Sequence, residues 1–141
     1  MIPVFVVSSL IAALAVIIHY EFLYQSTRWM PRMALPHRLR IVAGVLAALL
    51  AHTAEVILFG VAFYLMEQGA AWGHLQGNFA GSLADCIYFS LTSYTTLGTG
   101  DIEPLGDIRF LSGLESLTGL VLITWTASFL YLQMTRYWYS D

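Results

Sequence analysis

Three runs of apolar residues, each long enough to cross a bilayer, constrain this chain more than anything else in it. A membrane helix needs roughly 20 mostly apolar residues. Residues 2–24 (IPVFVVSSLIAALAVIIHYEFLY), 41–66 (IVAGVLAALLAHTAEVILFGVAFYLM) and 110–135 (FLSGLESLTGLVLITWTASFLYLQMT) each supply that length. Composition agrees: 58% of residues are hydrophobic, 11% are charged and none is lysine, whereas soluble domains carry about a quarter charged residues. A soluble globular fold, a disordered chain and a nucleic-acid binder, which needs a basic surface, are excluded. The first run has neither a basic n-region nor a small-x-small cleavage site, so it reads as a span and not a cleaved signal peptide. Trp125, Tyr131, Tyr137, Trp138 and Tyr139 crowd the end of the third run, as aromatic belts do at an interface.

A fourth apolar piece, residues 83–94 (LADCIYFSLTSY), is different. It gives roughly 18 Å of helix, too short to cross. Ser82 and Asp85 have capping-box spacing at its start, and the preceding GAAWGHLQGNFAG reads as a loop. A short capped helix between two spans is the pattern of a re-entrant segment.

Arg28, Arg32, Arg38 and Arg40 all fall between the first two spans, which places that linker in the cytoplasm by the positive-inside rule. The N-terminus and residues 67–109 are then outside, and the C-terminus with Arg136 inside. Residues 67–107 hold five acids (Glu67, Asp85, Asp101, Glu103 and Asp107) and no basic residue except His74. Singly these read as solvated loop acids; together they make an anionic vestibule that concentrates cations.

After the short helix comes Thr95-Thr96-Leu97-Gly98-Thr99-Gly100-Asp101. A dehydrated cation needs a ring of oxygens in place of its water, and backbone carbonyls in a narrow tube supply one. One chain gives one carbonyl per level, so several chains must surround an axis. Aiming successive carbonyls one way demands unusual φ/ψ at alternate residues, which glycine tolerates best, and Gly98 and Gly100 have that spacing.

The stretch YFSLTSYTTLGTGDIEP (88–104) resembles the pore region of the potassium-channel superfamily, whose usual signature is T-V-G-Y-G-D or T-I-G-F-G-D. The whole chain resembles small bacterial potassium-channel-like proteins with an extra N-terminal helix, on IHYE (18–21), AHTAE (51–55) and GLESLTGLVLITWTAS (113–128). The resemblance implies an all-α membrane protein. It would have three transmembrane helices, a re-entrant pore helix and a selectivity-filter loop, assembled as a four-fold symmetric homotetramer in the bacterial inner membrane. The expected organisation is an N-terminal helix at 1–25, a cytoplasmic linker at 26–40 and a pore domain at 41–135. Within the pore domain, 41–66 is the outer helix, 67–81 the external loop, 82–94 the pore helix, 95–101 the filter and 108–135 the inner helix.

By the same resemblance, the carbonyls of Thr96, Leu97, Gly98 and Thr99 would bind potassium, and Gly100 would complete the outer turn. Thr95, Tyr94 and Asp101 would support the filter, with Asp101 bonded to the pore helix. Gly119 is a candidate gating hinge, and Thr126 or Ser128 are candidate cavity positions. Position 99 departs from the signature, since threonine stands where Tyr or Phe braces the filter. It leaves a gap for Tyr94, Phe89 or a water to fill, and predicts weakened selectivity or easy collapse.

His52 and Glu55 lie three apart, on one helix face. With Glu115 they read either as packing groups that hydrogen-bond neighbouring helices or as a pH-sensing set. His19 and Glu21 are expected at the cytoplasmic interface, His74 in an exposed loop and Cys86 as a packing residue. A metal cluster of His19, Glu21, His52 and Glu55 is disfavoured, because H-x-x-E reverses the order of helical di-metal sites. No catalytic fingerprint stands out, so the chain reads as no enzyme and as needing no cofactor. Its expected partners are lipid, its own copies and permeant monovalent cations. Without an arginine-rich span, steep voltage sensing is not expected. The competing readings are a weakly selective cation channel and a pore-derived sensor or interaction subunit that does not conduct.

Overall fold

The computed structural model describes residues 2–69 and 71–138; Tyr139 of the aromatic belt and the side chains of Tyr137 and Trp138 lie outside what it describes. The element order is α1 (Ile2–Trp29), a 3₁₀ turn (Met30–Arg32), α2 (His37–Gln68), β1 (His74–Gly77), α3 (Leu83–Tyr94), β2 (Ile102–Leu105) and α4 (Ile108–Trp138). α1, α2 and α4 are each long and apolar enough to cross a membrane.

The spans end where the backbone forces them to. The polar residues Gln25, Ser26, Thr27 and Arg28 end the apolar run but do not break the helix. α1 therefore runs past the expected end at residue 25, to Trp29, and Pro31 sits in the 3₁₀ turn that follows. Pro36 caps the start of α2, because the residue after a proline of fixed φ can enter a helix while the one before it cannot. The expected linker at 26–40 is thus mostly helical, with Arg28 in the last turn of α1.

A second departure lies on the loop side. β1 and β2 form an antiparallel ladder with register His74↔Leu105 through Gly77↔Ile102. The all-α expectation, with 67–81 as plain loop, is corrected by this small sheet. Four-residue strands this far apart in the chain leave no local signature. The Glu67 carboxylate, at the end of α2, fixes the ladder by accepting the Leu75 N–H at 2.7 Å.

Lipid tails are as apolar as leucine, so membrane helices meet through small residues and polar bonds and not through hydrophobic burial. α1 shows this directly. Its buried positions are Val4, Ser8, Ala15, His19 and Leu23, while Ile2, Leu10 and Ile17 are exposed. α3 is held between α2 and α4. Phe89 meets Phe63 edge-on at 5.0 Å, Ser90 donates to the Val56 carbonyl at 2.8 Å, and Gly60 admits the Ile87 backbone. At the other end of α3, Gly119 of α4 sits against the Tyr94 carbonyl, where any Cβ would overlap the oxygen.

α4 passes through Gly119 without a break, so in this structure the residue serves a close helix approach. Gly119→Ala should lower stability by about 1–3 kcal/mol, the usual cost of overpacking. Gly113→Ala, with open space around its Cβ, should be tolerated. Thermal unfolding in detergent followed by circular dichroism checks the pair.

Candidate functional site

α3 owes its start to a capping box. The Ser82 hydroxyl accepts the Asp85 N–H at 3.1 Å, and the Asp85 carboxylate reaches back to the Ser82 N–H. A further bond from the Ala80 N–H, at 3.0 Å, is the main reason the Asp85 carboxyl lies below the ordinary carboxylate range, followed by its bond with Ser82. α3 ends at Tyr94, and its last carbonyls are used at once. Thr95 N–H and its hydroxyl bond the Leu91 carbonyl, Thr96 N–H the Ser93 carbonyl at 3.0 Å, and Gly98 N–H the Thr92 carbonyl at 3.1 Å. From α4, Ser116 also donates to the Ser93 carbonyl at 2.8 Å.

Residues 95–100 then leave the bundle, and all are exposed. Thr96 has φ +59°, Gly98 +55° and Gly100 +75°, while Leu97 and Thr99 keep negative φ. Thr96 is the only non-glycine residue with positive φ among the described residues, a conformation that L side chains adopt at a cost. Alternating the sign of φ turns successive carbonyls toward one side of the segment. No Cβ built at Gly98 or Gly100 would meet another atom, so these glycines answer a backbone demand and not a packing one.

Behind Thr99 stands a residue the sequence reading did not choose. Tyr88 of α3 donates its hydroxyl to Thr99 Oγ1 at 3.2 Å, and Thr99 in turn bonds the Asp101 carboxylate. The Thr99 bond, and then that of Tyr88, hold the Asp101 carboxyl below its ordinary range. Tyr88, Leu91 and Thr95 share one helix face by their 3–4 spacing, and all are exposed. That face was the available signal. Neither Tyr94 nor Phe89 fills the space behind Thr99, since both point into the bundle.

Tyr94 instead enters a buried polar cluster. Its hydroxyl bonds the Glu55 carboxylate and lies 2.9 Å from His52 Nδ1. Glu55 also meets His19 Nδ1 at 2.9 Å and His52 Nδ1 at 3.1 Å. Thr126 of α4 places its hydroxyl 3.2 Å from His19 Nε2 and 3.0 Å from His52 Nε2. Four helices thus share one network. His19, expected at an interface, is fully buried. The extension of α1 to Trp29 leaves ten residues, about 15 Å of helix, beyond it. Glu21 faces away and bonds Gln25 at 2.6 Å.

Glu115 stands apart from this cluster. It is fully buried and bonds the Ser90 hydroxyl. Of the five acids expected to form a vestibule, Glu67, Asp85 and Asp101 spend their carboxylates on the chain's own donors, while Glu103 is exposed.

Comparison with known proteins adds one match: a family model described as "Ion channel" covers residues 51–136. No curated protein and no solved structure matches the chain.

Ser82→Ala should cost about 1 kcal/mol through loss of the cap, seen as faster amide exchange at residues 84–86 with the spans unaffected. The Asp85 contribution carries a pH sign. Its folded pKa is depressed, so its stabilisation is present above the ordinary 3.8 and is lost as pH falls through the folded value. The exchange rates of the parent should therefore approach those of Ser82→Ala in acid.

Proposed function

The chain belongs to the pore-loop potassium and cation channel superfamily, and on that premise we propose that four copies surround one axis and pass potassium ions passively across the membrane. The carrying observation is the alternation of φ at Thr96, Gly98 and Gly100 in an exposed segment at the end of a capped helix packed between α2 and α4. Such a segment is irregular backbone next to membrane spans. Irregular backbone is tolerated at membrane depth only where it is enclosed by protein or lines a watery path. A ring of copies provides both. The carbonyls of Thr96, Leu97, Gly98 and Thr99 would then replace the water of a permeant cation.

On this reading α3 is re-entrant, with its C-terminal, electronegative end toward the ion path. Leu97, 71% exposed in the single chain, would be covered by neighbouring copies. The four arginines near the α1–α2 turn lie on the cytoplasmic side, and the β1–β2 ladder and its acids outside. The membrane is the inner membrane of a bacterium. Transport needs no catalytic residue, and we assign none.

Selectivity is where this chain departs from its relatives' signature. Thr99 is braced by one hydroxyl bond from Tyr88 and one to Asp101, not by an aromatic ring wedged between helices. Two hydrogen bonds at an exposed site resist widening less than a packed ring does. That favours a weakly selective cation channel as the second reading.

Purified protein in liposomes should carry potassium down a gradient, with block by barium. Thr99→Tyr should shift the reversal potential toward the potassium equilibrium value, and Tyr88→Phe should shift the parent the other way. Equal sodium and potassium permeation in the parent establishes the second reading. Electrical silence from intact tetramers at every voltage and pH would leave a non-conducting subunit and remove the proposal.

A further inference from the structure

The cluster joining α1, α2, α3 and α4 has an unbalanced hydrogen count. The Thr126 hydroxyl is within hydrogen-bond distance of two imidazole Nε2 atoms, on His19 and His52. A hydroxyl carries one hydrogen and can donate to only one of them. At least one Nε2 must therefore bear a hydrogen. A neutral ring protonated at Nε2 presents a bare lone pair at Nδ1. His19 Nδ1 faces Glu55 Oε1 at 2.9 Å, while His52 Nδ1 faces the other oxygen, Oε2, at 3.1 Å and the Tyr94 hydroxyl at 2.9 Å. Two lone pairs cannot share such a contact without a positive charge between them.

We propose that this charge is a divalent transition-metal ion, with zinc the best match, bound by His19 Nδ1, His52 Nδ1 and a Glu55 carboxylate oxygen. These three ligand atoms all lie within 4.8 Å of one another. Two imidazoles and one carboxylate suit a borderline ion such as zinc. An ion among them meets both Nδ1 lone pairs at once. Both Nε2–H groups are then free to donate to the one Thr126 hydroxyl, which accepts two. A single proton on Glu55, with the two rings in opposite tautomers, would close the count as well; the convergence of both Nδ1 atoms and a carboxylate oxygen on one point is what favours a metal.

Histidine ligands commonly donate their second ring nitrogen to an oxygen that fixes the tautomer, and Thr126 occupies that role for both rings. Tyr94 Oη, 2.9 Å from His52 Nδ1 and bonded to Glu55, stands where a fourth ligand or its hydrogen bond would be. Seating the ion on one Glu55 oxygen requires that oxygen to stand about 3.3 Å from both Nδ1 atoms, the tetrahedral edge for bonds of roughly 2.0–2.1 Å, and so a small turn of the carboxylate, whose two oxygens each face one ring. Access exists: the His52 side chain is 17% exposed and borders a cavity of about 680 Å³ between α2, α3 and α4, which Tyr94 and Thr126 also line.

The order H-x-x-E, which argued against a metal in the sequence, applies to paired-metal bundles with two such motifs. Here the third ligand comes from α1, and Glu21 takes no part. The ion would fix α1 to α2 beside the residue that ends α3, immediately before the carbonyl segment. Its effect on conduction rests on the proposed channel function; its binding does not.

The test is cobalt and zinc uptake by untagged, chelator-stripped full-length protein in nanodiscs, without any flux measurement. The parent should take up one ion per chain and give the visible d–d bands of tetrahedral cobalt. Glu55→Gln and His52→Gln should each weaken uptake at least tenfold. Thr126→Val, which keeps all three ligands, should weaken it by about 10–100-fold, as loss of an outer partner does. His74→Ala should change nothing. If a ligand variant fails to fold by circular dichroism, Thr126→Val decides. A folded parent that takes up no ion assigns the missing charge to a proton and overturns the proposal. So does a Thr126→Val protein that binds as the parent does.

Discussion

The junction at Tyr94 is the point on which the rest of the structure depends. There a helix packed between α2 and α4 stops and an exposed, left-and-right alternating backbone begins. A helix end leaves its last carbonyls without intrahelical partners, and packed away from water these must be satisfied by protein. The chain meets this demand from two directions. Thr95, Thr96 and Gly98 fold their own N–H groups back onto α3, and Ser116 of α4 supplies a hydroxyl to the Ser93 carbonyl. Gly119 makes the second supply possible, because a side chain there would push α4 away from the Tyr94 carbonyl. The same close approach explains why a glycine in the middle of α4 does not break it.

Tyr94 also faces the other way. Its ring is buried and its hydroxyl enters the network of Glu55, His52, His19 and Thr126. Polar side chains in membrane interiors cost free energy when unpaired and give helices specific partners when paired. Here one carboxylate and one hydroxyl collect two imidazoles and a phenol from four helices. Apolar packing alone would leave α1 free to slide, since leucine against leucine and leucine against lipid are nearly equivalent. The buried pairing of His19 with Glu55 sets its register.

Much of this was legible in the sequence, for identifiable reasons. The spans followed from apolar length, α3 from Ser82, Asp85 and a run too short to cross, and the unusual backbone from the Gly98–Gly100 spacing. What escaped was non-local. The pairing of His74 with Leu105 joins strands too short to show alternation. His19 was expected at an interface because polar residues 25–28 end the hydrophobic run; the helix continues past them to Trp29, and His19 is buried against Glu55. Tyr88 was passed over in favour of Tyr94 because sequence proximity to Thr99 was weighed above helix face. In each case local composition was read correctly, and the error lay in which element would sit opposite.

Those misses bear on how the parts act together. Tyr88 and Tyr94 sit six residues apart on α3 and serve opposite sides of it. Tyr88 reaches outward to Thr99 and Asp101; Tyr94 reaches inward to the four-helix network. α3 is short, capped at its start by side chains and clamped at its end by α4, so it moves as a unit or not at all. A change in the buried cluster that displaces the Tyr94 backbone would carry α3, and Tyr88 with it. The bond to Thr99 is then the part most easily altered, because it is exposed and long at 3.2 Å. An aromatic residue at position 99 would have buffered the segment against such a tilt by packing. Threonine leaves its conformation dependent on two hydrogen bonds, and through them on what the interior of the bundle holds.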